Sequence, residues 1–222
     1  LLIIKGLYMQ ASTVEYTPEQ LDFEVKYLSA SDLKVAASIL YNAYFDDPLF
    51  CHIFKKDDEG YEVRLRGAIR EELNTYWEAK QPLLGVYKNG SLVAATCLIN
   101  PDPEFGNSRY WHWRLKMLLT AGFLGTQQFL EKEKLVRAHL PAQKCHMISF
   151  IGVHPSMQDQ GIGRILIAAI NEVVDAVEDS EGVGVFVTIE KCLSFFNDSG
   201  FELIEKLETA NIKGQILYKK KH

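Results

Sequence analysis

The chain has 222 residues, 47% hydrophobic and 24% charged, a globular composition and a length that buries roughly 70% of the unfolded surface in a single domain. With 24 Lys plus Arg against 29 Asp plus Glu the net charge is −5, so the positive excess that drives non-specific nucleic-acid binding is missing. Cys51, Cys97, Cys145 and Cys192 are far apart in sequence and match no structural zinc pattern, which leaves them as reduced thiols of a cytosolic protein.

The apolar start, Leu1 to Ile4, is far shorter than a bilayer span and has no basic segment before it. Residues 1–20 are set aside as an N-terminal extension to one domain over 21–222. Phe23 to Leu28 reads as a first strand. Ser29 and Asp32 resemble a helix cap, and Leu33, Ala36, Ala37, Leu40, Tyr41 and Tyr44 follow at helical spacing until Asp47-Pro48 stops them. A second helix is expected from about Tyr61 to Ala79. Leu83 to Tyr87 and Leu92 to Ile99 flank Asn89-Gly90, a strong hairpin signal. Residues 101–141 break the pattern and suggest two helices carrying Tyr110, Trp111, Trp113 and Leu118. Met147 to Val153 has the length of a buried strand, followed by a helix from Gly161 to about Val177. Val183 to Ile189 is a further strand, Cys192 to Asp198 a short helix, and Phe201 to Lys206 and Ile212 to Lys219 the last two strands.

The informative stretch is Gln158-Asp159-Gln160-Gly161-Ile162-Gly163-Arg164, between a buried strand and an amphipathic helix. Ile162, Ile165, Leu166, Ala169, Ile170 and Val173 form that helix's apolar stripe, so its first amides emerge at the edge of the sheet. Glycines at 161 and 163 clear the approach to those amides, and the helix dipole adds about half a positive charge there. For an isolated Gly-x-Gly, a tight strand-to-helix turn is the reading to prefer. The P-loop ending is missing, and a dinucleotide fingerprint would need glycine at the position of Leu166.

Gln158 to Gly163 resembles the signature of the Gcn5-related N-acetyltransferases (GNAT): Gln or Arg, two residues, Gly, one residue, then Gly or Ala. Val153-His154-Pro155 is similar to the strand end that precedes it, and Phe196-Asn197-Asp198-Ser199-Gly200-Phe201 to the family's Tyr-Glu-x-x-Gly-Phe. The resemblance implies an α/β fold with a mixed, mostly antiparallel sheet flanked by helices. It places the helical insertion, about 101–141, between the third and fourth core strands. It implies acetyl-CoA as cofactor, with Gln158, Asp159, Gln160, Gly161, Ile162, Gly163 and Arg164 wrapping the pyrophosphate. Ile151 and Val153 then bond the pantetheine arm where two strands splay apart.

Acetyl transfer needs a neutral amine, and an acceptor of pKa ~10.4 costs about 4.6 kcal/mol to deprotonate at pH 7. Relatives place Glu or His where this chain has Met147 and Ser149, and neither is a base. Ser149 is expected to position a water that carries the proton outward, and Glu190, just past the next strand, is the candidate carboxylate. His146 faces away from Met147 and Ser149 and reads as structural. The usual acid, a Tyr, is here Phe196, which is expected to pack on the sulfur end of the cofactor.

The leading reading is a cytoplasmic enzyme moving acetyl directly from acetyl-CoA to a primary amine of a small molecule, with no metal, nucleic acid or membrane partner. An acyl-CoA-binding module without catalysis and an acetyltransferase for protein amines are the alternatives. The insertion is expected to roof the acceptor side of the cleft or, through Trp111, Trp113 and Leu118, to make a homodimer contact.

Overall fold

A computed structural model of the chain describes residues 23–101, 127, 131, 133–209 and 212–221. The expected extension 1–20 and most of the expected insertion, with Tyr110, Trp111, Trp113 and Leu118, lie outside the described residues. Seven strands are described: β1 (Phe23–Tyr27), β2 (Leu83–Lys88), β3 (Ser91–Ile99), β4 (His146–Val153), β5 (Gly182–Val187), β6 (Glu202–Thr209) and β7 (Ile212–Lys220). The helices are α1 (Leu33–Tyr44), α2 (Pro48–Ile53), α3 (Tyr61–Glu78), α4 (133–139), α5 (Ile162–Ala176) and α6 (Leu193–Asp198). α4 falls within the expected insertion.

The strands form one sheet in the order β1-β2-β3-β4-β5-β7-β6. Every pairing is antiparallel except β4 with β5, so the expected mixed, mostly antiparallel sheet is what the chain forms. Asn89 and Gly90 both take positive φ, 51° and 76°, the turn that matches the twist of a tight hairpin. Asp32 supplies half of the anticipated capping box, its carboxylate accepting from the Ser29 amide at 2.8 Å.

The sequence reading places no helix between α1 and α3, whereas α2 begins at the residues that stop α1. Asp47 Oδ1 accepts from the amides of Leu49 (2.9 Å) and Phe50 (3.1 Å), and Pro48 occupies the first helical position, where its missing N–H costs nothing. An Asp-Pro pair therefore ends one helix and starts another.

Two apolar cores sandwich the sheet. One joins α1, α2 and α3 to Ala95, Cys97, Met147 and Phe150, and includes Val136 of α4. The other joins α5 to Val86, Ala94, Ile148, Val185 and Leu217. α5 buries Ile162, Ile165, Leu166, Ile167, Ala169, Ile170, Val173 and Val174, the stripe its 3.6-residue period demands.

His146 opens β4 fully buried, with Nδ1 2.8 Å from Ser180 Oγ. Desolvation, reinforced by the charge of Lys221, pushes its pKa down to about 4, so the folded protein holds it neutral. The unfolded chain takes up a proton near pH 6.5 and the folded one does not, so stability falls as pH drops from about 6.5 towards 4. His146→Asn is expected to lower neutral-pH stability by about 1–2 kcal/mol and to flatten the acid decline in that window. Urea midpoints across pH 4–7 measure both effects. A variant declining as steeply as the parent would remove His146 as the cause.

Candidate active site

The sheet opens between β4 and β5. They pair only at His146↔Val183, Met147↔Gly184 and Ile148↔Val185, so residues 149–153 have no partner on β5 although they stay registered with β3 as far as Val153↔Ala94. On the β3 side Cys97 faces Phe150 and Leu98 faces Ile148, which makes Ser149 the extra residue of a β-bulge. A bulge bends and twists its strand, and this one sits where β4 leaves β5.

The unpaired backbone beyond the bulge needs partners. The Ile151 amide donates to Tyr44 Oη at 3.1 Å, and the Val153 carbonyl accepts from Gln158 Nε2 at 3.3 Å. Tyr44 sits edge-on to Phe150 at 5.3 Å and tilted against Phe50 at 5.1 Å. Burial raises its pKa far above the usual phenol value, and it remains a neutral phenol.

The chain leaves β4 through a short 3-10 turn, Pro155–Met157, and enters α5 with two left-handed residues, Asp159 (φ 61°) and Gly161 (φ 76°). Aspartate tolerates that conformation and glycine adopts it freely. The amides of Arg164 and Ile165 turn back to the Gly161 carbonyl. Those of Asp159, Gln160, Gly161, Ile162 and Gly163 have no hydrogen-bond partner among the described residues. Five successive free donors thus stand at the positive end of a 15-residue helix. Gly163 has a separate reason: a Cβ there would lie 2.9 Å from Phe195 Cε2, so the glycine lets that ring close on the helix. Ile162 is buried and anchors the turn, while Gln158, Asp159, Gln160 and Arg164 are exposed.

Both donor sets suit a coenzyme A molecule, whose pyrophosphate needs N–H donors and whose pantetheine arm carries extended amides. Phe196 is 4% exposed in the α5 core, edge-on to Phe195 (5.1 Å) and Phe201 (5.3 Å). Of the two rings, Phe195 is the half-buried one beside Gly163.

The polar candidates divide between two places. Glu190 is exposed and opens the 3-10 turn after β5. It lines a cleft of about 520 Å³ with Val187, Thr188, Leu193 and residues of the β6–β7 hairpin. Ser149 belongs elsewhere: its Oγ lies 2.9 Å from Tyr76 Oη of α3. Nothing in the sequence links residues so far apart, and Tyr76 reads there as one apolar position among several. Asp47 is a second buried residue that the pattern missed, because its Oδ2 accepts from Thr188 Oγ1 at the end of β5. α2 is thereby tied to the far wall of the opening. Among the described residues, no group of three or more His, Cys, Asp or Glu is arranged to hold a metal, and no helix is long and apolar enough to cross a membrane.

The profile of the family described as Acetyltransferase (GNAT) family matches residues 37–201. An acetyltransferase from Corynebacterium glutamicum, described as histone acetyltransferase HPA2 and related acetyltransferase, is 14% identical, with 90% of this chain and 97% of that chain covered and a TM-score of 0.69. A polyamine N-acetyltransferase from Drosophila melanogaster that forms N-acetylagmatine is 15% identical over 90% and 100% of the two chains, with a TM-score of 0.60. The PaiA N-acetyltransferase of Thermoplasma acidophilum, solved with coenzyme A, is 14% identical over 89% and 98%, with a TM-score of 0.54. No curated protein sequence matches the chain.

Asp47→Ala removes both the cap of α2 and the tie to Thr188. It is expected to lower stability by about 2 kcal/mol, with Thr188→Val costing less because the cap survives. Equal stability of Asp47→Ala and the parent in urea denaturation would show that neither contact matters.

Proposed function

The chain belongs to the acetyltransferase (GNAT) family and is an acyltransferase that uses acetyl-CoA, and from that premise we propose that it moves the acetyl group directly to a primary amine of a small molecule. The observation that carries this reading is the run of five free amides, Asp159 to Gly163, beside the unpaired edge of β4. A chain of net charge −5 that binds a polyanion needs localised donors, and backbone amides on a helix dipole supply them without lysine.

Acetyl-CoA brings the activated thioester, and the chain's residues position it. The amides of Asp159, Gln160, Gly161, Ile162 and Gly163 hold the pyrophosphate, with Gln158 and Arg164 flanking them. Ile151 and Val153 present main-chain groups to the pantetheine arm in the manner of an added strand, the Ile151 amide exchanging the Tyr44 hydroxyl for it. Phe195, half-buried beside Gly163, forms the apolar wall at the α6 side, with Phe196 packed behind it in the core. The cleft beside Glu190 takes the body of the acceptor, whose amine reaches from there into the opening between β4 and β5 towards Ser149.

Direct transfer is supported by the thiols. An acyl-enzyme on cysteine would need a thiolate, whereas burial raises the pKa of three of the four thiols, Cys97, Cys145 and Cys192, the direction that keeps them protonated, and the fourth, Cys51, donates to the Phe45 carbonyl. A small amine as acceptor is in keeping with a cleft of about 520 Å³, a volume typical of small-molecule sites. The polyamine enzyme from Drosophila melanogaster, a neighbour in fold, acts on such a compound.

Gln160→Glu adds a carboxylate beside the free amides without disturbing a left-handed residue. It is expected to weaken coenzyme A binding about 3–10-fold in calorimetry at low salt, less at high salt, with unchanged stability. Unaltered affinity would remove the pyrophosphate assignment. Thiol release from acetyl-CoA with a panel of small amines tests the acceptor class, and turnover on peptide amines alone would replace the small-molecule reading.

A further inference from the structure

Only two carboxylates are buried among the described residues, Asp47 and Glu72. Asp47 caps α2. Glu72 lies in the middle of α3, 2% exposed, where an apolar side chain would pack at less cost. One turn further on is Tyr76, 3% exposed, on the same helix face as Glu72, with its hydroxyl 2.9 Å from Ser149 Oγ. Ser149 is the half-buried bulge residue at which β4 parts from β5. Three polar side chains therefore run from the opening in the sheet into the core.

We propose that Ser149, Tyr76 and Glu72 form the path by which the acceptor amine loses its proton. The inference rests on the reading of this chain as an amine acetyltransferase. The amine proton passes to Ser149 Oγ, the Ser149 proton to Tyr76 Oη, and the Tyr76 proton to the Glu72 carboxylate. One N–H bond breaks and one carboxyl O–H bond forms. As the nitrogen bonds the acetyl carbon, the C–S bond breaks and the sulfur leaves with its electron pair. The second proton of that nitrogen passes to the thiolate, and the proton on Glu72 returns along the path to water at the opening, so ammonium and thioester become amide, thiol and one released proton. Ser149 is the catalytic residue of the three, since it alone borders the opening; Tyr76 and Glu72 act through it.

The surroundings fit this direction of travel. Desolvation, then the charges of Glu72 and Glu133, raise the Tyr76 pKa, so Tyr76 hands a proton on without standing as a phenolate. Glu133 of α4 pairs with Arg137 at 3.5 Å, and the thiol of Cys97 on β3 is kept protonated by burial and by the charge of Glu72. Glu72 is the buried carboxylate one helical turn from Tyr76, and Glu190 lies on the cleft beyond β5.

The test compares Glu72→Gln, Tyr76→Phe and Ser149→Ala with the parent, using acetyl-CoA and an amine that the parent acetylates. Each is expected to lower kcat/KM about 10²-fold at pH 7, with acetyl-CoA affinity by calorimetry within about twofold of the parent. The deficit should shrink steadily towards pH 10, where the amine is neutral in bulk water, and Ser149→Thr should retain activity. A loss of the same size at every pH, or full activity in Tyr76→Phe, would overturn the path. Tyr76→Phe and Ser149→Ala carry the test if Glu72→Gln does not fold. If the parent binds acetyl-CoA but acetylates no amine, the amine reading fails and the path with it, an outcome distinct from an active parent with equally active variants.

Discussion

Everything proposed for this chain depends on two neighbouring strands ceasing to pair. β4 and β5 are the sheet's single parallel pair and share three residue positions, after which a bulge at Ser149 turns β4 aside. Parallel pairing is somewhat weaker per residue than antiparallel, and a bulge adds twist at one point. An interior strand edge is left with unmet backbone groups, which a folded protein has to satisfy. Here one is met by the Tyr44 hydroxyl and another by the Gln158 side chain. A side chain can exchange such a bond with a ligand, and a neighbouring strand would not.

The opening is held from both sides by local chemistry. α1 brings Tyr44 to β4, and Asp47 caps α2 while receiving the hydroxyl of Thr188 from β5. On the other face, the apolar stripe of α5 fixes the helix to the sheet, so its first amides lie at the end of β4 and meet no partner among the described residues. One helix thereby stabilises the fold by burying its stripe and leaves donors suited to an anion at its terminus, two consequences of a single orientation.

The charge distribution follows from the same design. A surface rich in carboxylates repels an anionic cofactor over long distances, and salt screens that repulsion beyond about 10 Å. At contact range the dipole and the five amides dominate. The polar groups proposed to bear on the acceptor, by contrast, come from elements far apart in the chain: Glu190 after β5, Ser149 in the bulge, and Tyr76 with Glu72 on α3.

The sequence by itself determined what depends on neighbours along the chain. The alternation and apolar runs gave the strands within a few residues, the Asn89-Gly90 pair gave the hairpin, and the Gly161-Ile162-Gly163 loop ahead of an amphipathic stripe announced the free amides and the family. It read the stop at Asp47-Pro48 but not the start of α2 there, where stop and start signals coincide and only helical geometry separates them. The tertiary structure decided what depends on register. Which β4 residue became the bulge rests on how β3 pairs with it, and that made Ser149 the residue at the fork. Tyr76 looks in sequence like one more core aromatic, because its polarity has meaning only once α3 packs across β4. Periodicity records whether a side chain faces inward, and the chemistry of an inward-facing group is set by the distant segment it meets.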